Sequence, residues 1–207
     1  MNYIKKQYQT IHAFYRTDFK KPLIIISILF FGIILVSTVF FLCNKSMTME
    51  AMSWVQQTLS TKDVVDAQGN ISAFGLIRNN LQACLLCICL GFIPFLFLNF
   101  FPLLVNTVMM GIVVAGSHFM GRSFAFTLAA LLPHGIFEIP AIILSITLGY
   151  YICIEFVMKI VGNRTGVSLA IPGKHMIRVF LCIVLPLLLV AGIVEAYITP
   201  VVAGFFL

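Results

Sequence analysis

Long apolar runs separated by short polar stretches dominate this chain. A helix that crosses a bilayer needs roughly 20 apolar residues, because each residue rises about 1.5 Å against a hydrocarbon core of about 30 Å. Four runs meet that length on their own, namely 22–43, 76–98, 102–120 and 176–206. A fifth apolar region, 123–161, is too long for one span and contains no polar loop that divides it. The pattern predicts an all-α, polytopic membrane helix bundle.

The fifth region decides the number of spans. We expect one long span from about Pro133, preceded by a short interfacial or re-entrant helix, which makes about five transmembrane helices in all. Dividing 123–161 into two spans is the alternative, and it would move the basic loop at 162–175 to the outer side. Since Lys and Arg are enriched in cytoplasmic loops, the arrangement with five spans is favoured.

Charge in the polar stretches predicts the orientation. Basic residues precede the first span and recur between the last two spans: Lys5, Lys6, Arg16, Lys20, Lys21, Lys159, Arg164, Lys174 and Arg178. The loop at 44–75 instead balances two lysines with three carboxylates. The positive-inside rule then places the N-terminus in the cytoplasm and the 44–75 loop outside. We therefore expect a basic cytoplasmic segment at 1–21, followed by a single integral membrane domain at 22–207.

Composition agrees with a membrane protein and argues against other classes. Hydrophobic residues make up 61% of the chain and charged residues only 10%, whereas about a quarter of a soluble domain is charged. Topology explains the net charge of +6, and no basic patch interleaved with aromatics suggests a nucleic-acid partner. The six cysteines all fall in apolar runs, so we interpret them as small hydrophobic side chains.

The loop at 44–75 is the only sizeable water-facing segment. Met52, Val55 and Leu59 recur at helical spacing, which predicts a short amphipathic helix at 48–60 with Trp54 near the interface. Residues 66–70 have the composition of a turn. Such a loop is too short for a folded catalytic domain, so any chemistry must occur in or beside the membrane.

Polar side chains converge on the outer third of the predicted bundle. His134 and Glu138 are four residues apart, which stacks them on one helix face near the outer mouth of the long span. Glu195 lies nineteen residues beyond Met176, a climb of about 28 Å toward the outer face. Further polar groups are expected at the same depth, at the start of the second span and the end of the third: Arg78, Asn79, Asn80 and His118.

Three interpretations of this outer site remain open. His134, Glu138 and Glu195 could hold a divalent cation, since imidazole and carboxylate donors suit zinc. One of the carboxylates could act as a general base while His134 and Arg78 bind an anionic head group. The third possibility is a charge-compensated network, with Arg78 beside Glu195 and His134 beside Glu138, that joins the helices. We expect no cofactor, with a divalent metal as the one candidate.

Several segments resemble the stage II sporulation protein M family over about 76–200. These are Asn79-Asn80, Asn106 followed by Gly111, the run Leu-Pro-His-Gly-Ile-Phe-Glu-Ile-Pro-Ala at 132–141, and Glu195-Ala-Tyr-Ile-Thr-Pro200. The resemblance implies a multi-pass inner-membrane protein of a bacterium or an archaeon, and we expect the bacterial inner membrane. Its namesake helps to assemble a peptidoglycan-remodelling complex during engulfment of the forespore, with the enzymes as its partners.

The resemblance and the polar site together favour a scaffold for extracytoplasmic cell-envelope machinery, with the bilayer and envelope proteins as partners. The alternative is an intramembrane enzyme, or a carrier of a lipid-linked substrate, that uses the same residues. A scaffold needs helix faces and the outer loop, whereas an enzyme or a carrier needs an open cavity that reaches His134, Glu138 and Glu195.

Overall fold

The computed structural model of the chain describes residues 9–60, 72–162 and 170–206, with the backbone alone at 58–60 and 170–172. Five helices are long and apolar enough to cross a membrane, which confirms the predicted polytopic α-helical bundle. We number the helices α1 (Gln9–Leu42), α2 (Lys45–Ser60), α3 (Ala73–Leu90), α4 (Phe100–Phe119), α5 (Phe124–Ile160) and α6 (170–204). The turn expected at 66–70 and the basic residue Arg164 lie outside the described residues.

Helix α5 occupies the centre of the bundle and packs against all four other spanning helices. It is one continuous helix of 37 residues, about 55 Å long, with Pro133 and Pro140 inside it. Our prediction of a separate short helix before Pro133 is therefore wrong, because one helix runs through this position. Proline removes one backbone hydrogen bond and strains its turn, yet the helix continues unbroken through both positions.

Helix α3 ends earlier than the apolar run that contains it. We expected a span to residue 98, but the helix stops at Leu90 and irregular backbone follows to Asn99. One feature of the sequence and one of the backbone explain the stop. Pro94 cannot donate a backbone hydrogen bond, and Phe95 and Phe97 adopt positive φ angles of 68° and 47°, which a helix does not tolerate.

Helix α1 begins well before the predicted span. Residues 9–19 continue the helix, and Phe14 is buried with its ring 4.9 Å from that of Tyr151 and 4.8 Å from that of His175. This part of the N-terminal segment is therefore packed onto α5 and α6. Apolar residues at 11, 14 and 19 explain the packing, because they cover one face of the helix.

The two ends of the bundle differ in charge. One end, called the basic end below, carries the described residues Arg16, Lys20, Lys21, Lys159, Lys174 and Arg178. Helices α1, α4 and α6 run away from this end, and α3 and α5 run toward it. The opposite end carries α2, the start of α5 and the end of α6.

Helix α2 lies on the opposite end and is docked rather than free. Its Val55 is 1% exposed and packs with Phe41 of α1 and with Ile112 and Ala115 of α4. Thr48 holds the sharp turn between α1 and α2, because its hydroxyl donates to the carbonyl of Phe41 at 2.6 Å. The prediction of a short amphipathic helix at 48–60 is confirmed, since α2 covers this range and packs through Met52 and Val55.

Glycines allow the helices to approach closely at two levels. Gly91 at the end of α3 lies against the backbone of Gly149 in α5, and Gly149 in turn lies against the carbonyl of Cys87. Gly192 of α6 accommodates the side chain of Ile77 in α3. A Cβ atom at any of these glycines would clash with its neighbour, so small residues set the spacing of α3 from α5 and α6.

Candidate functional site

Helix α5 presents His134 and Glu138 on one face near its start. Ser123 caps the helix by accepting a hydrogen bond from the backbone N–H of Phe126 at 3.0 Å, which fixes where the helix begins. The spacing of four residues then stacks the two side chains, and His134 Nε2 lies 3.9 Å from Glu138 Oε2. Both side chains are partly buried, at 13% and 21% exposure.

Helix α6 presents Glu195 from a π-helical turn. In the segment Val194–Ile198 the N–H of Thr199 bonds to the carbonyl of Val194, five residues back instead of four. Pro200 explains the wider turn, because a proline ring clashes with the carbonyl four residues before it. The same arrangement recurs at Phe180–Val184, which precedes Pro186. Single π-helical turns occur frequently at functional sites.

The two helices bring three ionisable side chains together. Potential ligand atoms of His134, Glu138 and Glu195 all lie within 4.8 Å of one another. Thr199, one turn beyond Glu195, adds a hydroxyl 3.3 Å from His134 Nδ1. We call His134, Glu138, Glu195 and Thr199 the polar cluster; it joins α5 to α6 at the end of the bundle opposite the basic end.

The chemistry of the polar cluster follows from its two facing carboxylates. Like charges at this separation repel strongly where water is scarce, so the pair favours a shared proton or a bound cation. Donor atoms on one zinc ion lie roughly 3–3.5 Å apart, so the three side chains need only a small contraction to hold such an ion. An imidazole and two carboxylates can equally relay a proton.

Most of the other predicted site residues border a cavity near the cluster. Asn79 and Asn80 of α3, which interact at 3.4 Å, border a cavity of about 430 Å³ between α3 and α4. Arg78 and Asn106 line the same cavity. His118 is exposed at the end of α4, with its ring 5.5 Å from that of Phe119. The structure thus adds a groove, lined by four of the predicted residues, to the cluster of His134, Glu138 and Glu195.

Thr199 is the member of the polar cluster that sequence reasoning missed. The sequence does contain an indication of this role, since Thr199 lies four residues after Glu195 and directly before Pro200. A Thr in an apolar helix usually bonds to its own backbone, as Thr107 does to the carbonyl of Leu103 at 2.8 Å. Only the packing of α6 on α5 shows that Thr199 faces His134 instead.

Comparison with known proteins adds two findings. The model of the stage II sporulation protein M family matches residues 22–200, a range that contains the whole polar cluster and every groove residue named above. An uncharacterized protein of Methanocaldococcus jannaschii is 26% identical over 132 residues, which cover 64% of this chain and 73% of that protein. No solved structure matches the chain.

Proposed function

The chain belongs to the stage II sporulation protein M family, and on that premise we propose that it anchors and organises extracytoplasmic cell-envelope machinery from within the membrane. In this role the protein holds partner proteins that remodel peptidoglycan and performs no cutting of its own. It lies in the inner membrane of a bacterium, with a basic cytoplasmic segment at 1–21 and one membrane domain at 22–207.

The observation that carries this proposal is where the polar cluster lies relative to open space. The cavity of about 430 Å³ lies between α3 and α4, and its described lining includes none of His134, Glu138 and Glu195. An enzyme that used these three side chains would need substrate-sized space beside them. A cluster packed between two helices instead supports a structural role, in which it fixes the outer ends of α5 and α6 relative to each other. We call the polar cluster in this role the latch.

The distribution of charge supports the proposed orientation. The basic end carries six described Lys and Arg residues and two described carboxylates, Asp18 and Glu155. The positive-inside rule places such an end in the cytoplasm. The latch and α2 then face the cell envelope, where the partners of a scaffold would be found.

Helix α2 supplies a surface on which a partner can dock. Its inner face packs on α1 and α4 through Val55, while its outer face exposes Met47 at 51% and Trp54 at 56%. Aromatic and methionine side chains are enriched at protein interfaces. Among the described residues, α2 is the only helix outside the five candidate spans, so contacts with an envelope protein are most readily made there.

Site-specific photo-crosslinking in living cells tests this role. A photoreactive amino acid at Met47 or Ser53, both exposed on α2, is expected to crosslink to a protein with an extracytoplasmic peptidoglycan-active domain. The same amino acid at Ile28, which is 67% exposed on the membrane span of α1, serves as the control and should give no such product. Crosslinks from α2 to lipid alone, or equal products from Ile28, would contradict the proposal.

Binding of a divalent cation is the second candidate function. It is favoured by one specific observation, the convergence of a histidine and two carboxylates within 4.8 Å. A cation would neutralise the facing carboxylates and tighten the latch. It would also provide a Lewis acid at the membrane surface, which a hydrolase could use.

A further inference from the structure

The groove between α3 and α4 has a polar half and an apolar half. The two helices contact each other only lightly, since α3 packs mainly on α5 and α6, and α4 mainly on α1 and α2. The outer half, nearer the polar cluster, contains Met109 and is otherwise lined mainly by polar side chains: Arg78, Asn79, Gln82 and Asn106. Apolar side chains line the half nearer the basic end: Ala83, Leu86, Phe101 and Val105.

The groove opens toward the bilayer rather than toward the centre of the bundle. Phe101 and Leu86 on its rim are 63% and 50% exposed, and both belong to segments that span the membrane. A lipid can therefore enter from the side without crossing a water-filled channel. The volume of about 430 Å³ is sufficient for a head group and the first part of one chain, and falls within the usual range of ligand pockets.

The charge of the residues that line the groove indicates which kind of lipid head group fits there. The described lining contains one arginine, three asparagines and a glutamine, and no acidic side chain. Two contacts in parallel register, Cys84 with Ser145 and Gly91 with Gly149, place Arg78 at about the depth of Glu138. Arg78 also takes part in an interaction within the protein. Its five N–H donors match a phosphate group, even when one donor is already used within the protein.

The amide side chains complete an anion-binding set. Asn106 donates one N–H to the carbonyl of Pro102 at 2.8 Å, and Asn79 donates one to Asn80 at 3.4 Å. Each amide nitrogen carries two N–H groups, so one donor of each asparagine remains for a ligand. Together with Arg78 they surround the outer half of the groove with donors.

We propose that the groove between α3 and α4 binds a lipid of net negative charge through its phosphate, with the phosphate against Arg78, Asn79 and Asn106 and one acyl or isoprenoid chain along Leu86, Phe101 and Val105. This site is separate from the polar cluster, so it does not depend on the role proposed above. A lipid is favoured over free phosphate because half of the groove is apolar and opens into the hydrocarbon region.

Native mass spectrometry of the full chain, released from neutral detergent, tests the site. The probes are phosphatidylglycerol, phosphatidylcholine and inorganic phosphate. We expect one phosphatidylglycerol to bind at least tenfold more tightly than phosphatidylcholine, and millimolar phosphate not to displace it. Arg78→Gln should weaken binding of phosphatidylglycerol about tenfold or more. The matched control is Arg122→Gln, since Arg122 is exposed at the same end of the bundle and packs over the ring of Phe126, outside the groove.

A second variant tests the apolar half without changing charge. Leu86→Trp should fill the groove and reduce phosphatidylglycerol binding to a similar extent, with the melting temperature unchanged, because Leu86 is half exposed. Three results would overturn the proposal: equal loss in Arg122→Gln, which would mean a general surface charge effect; equal binding of both lipids; or full displacement by inorganic phosphate, which would make free phosphate the ligand.

Discussion

Glu138 and Glu195 are the residues on which the latch depends. They come from different helices, and their potential ligand atoms lie within 4.8 Å of each other across the contact between α5 and α6. If one proton or one cation serves both carboxylates, neither has its full partner once the other is gone. Residues that share a partner in this way do not contribute independently to stability.

A double-mutant cycle measures that sharing. We expect Glu138→Gln and Glu195→Gln each to lower the melting temperature in detergent, and the double variant to lower it by less than the sum. The expected deficit is about 2–8 °C, which corresponds to a coupling of roughly 1–2 kcal/mol in a chain of this size. Glu50→Gln, at an exposed position of α2, is the control and should leave the melting temperature unchanged. Simple additivity would show that the two carboxylates do not share a partner.

Zinc distinguishes a latch held by a proton from one held by a metal. If a cation binds His134, Glu138 and Glu195, zinc at a hundredfold excess over its dissociation constant stabilises the fold by about 2.7 kcal/mol. The melting temperature then rises by about 5–10 °C, a chelator reverses the rise, and His134→Ala abolishes it. His118→Ala is the matched control, because His118 is exposed and lies apart from the cluster. If zinc leaves the melting temperature of the wild-type protein unchanged, a metal does not join the two carboxylates, and a shared proton remains as the explanation.

At the scale of the helices, the approach of α3 to α5 depends on residues without side chains. Gly149 is buried where a Cβ atom would meet the carbonyl of Cys87 and the side chain of Asn99. Asn99 itself is fully buried and donates to the carbonyl of Ile146 at 3.3 Å, so the irregular segment after α3 is fastened to the same part of α5.

Gly149→Ala should therefore force α3 and the segment after it away from α5. Overpacking a tight contact costs about 1–3 kcal/mol, so we expect the melting temperature to fall by about 3–10 °C. Gly32→Ala is the control, since a Cβ atom at Gly32 meets no neighbour and alanine favours the helix. Equal stability of the two variants, measured by fluorescence-detected unfolding in detergent, would show that the contact is not tight.

Much of this helix arrangement could be predicted from periodicity and length. The runs of apolar residues identified all five spans, and the spacing of His134 and Glu138 placed them on one face. The rise per residue along the last span then placed Glu195 at the same depth as His134 and Glu138. These properties are local, because rise per residue and residues per turn are the same in every α-helix.

Rotation of the helices about their axes could not be predicted in the same way. Which side chains of α3 line the groove toward α4 depends on how α3 packs, and no single-sequence pattern encodes that choice in a helix that is apolar on most sides. The left-handed backbone of Phe95 and Phe97 is likewise imposed by tertiary contacts, since phenylalanine has no preference for it. For these reasons the sequence suggested one polar site where the structure has a cluster and a groove.

Across the whole molecule, the account depends on which end faces the cytoplasm. The polar cluster, the polar half of the groove and α2 all lie toward the end of the bundle opposite the basic residues. If that end faces the cell envelope, a latch, a lipid-phosphate site and a docking helix are available to extracytoplasmic partners. If it faces the cytoplasm, none of them is.

Labelling of single cysteines on intact cells tests this claim most directly. Starting from a variant that lacks the six native cysteines, cysteine is introduced at Ser53 of α2 or at Lys174 of α6, which are both exposed and lie at opposite ends of the bundle. We expect a membrane-impermeant thiol reagent to label Ser53→Cys on intact cells, and to label Lys174→Cys only after permeabilisation. The reverse pattern would place the polar cluster in the cytoplasm and contradict the envelope-facing role.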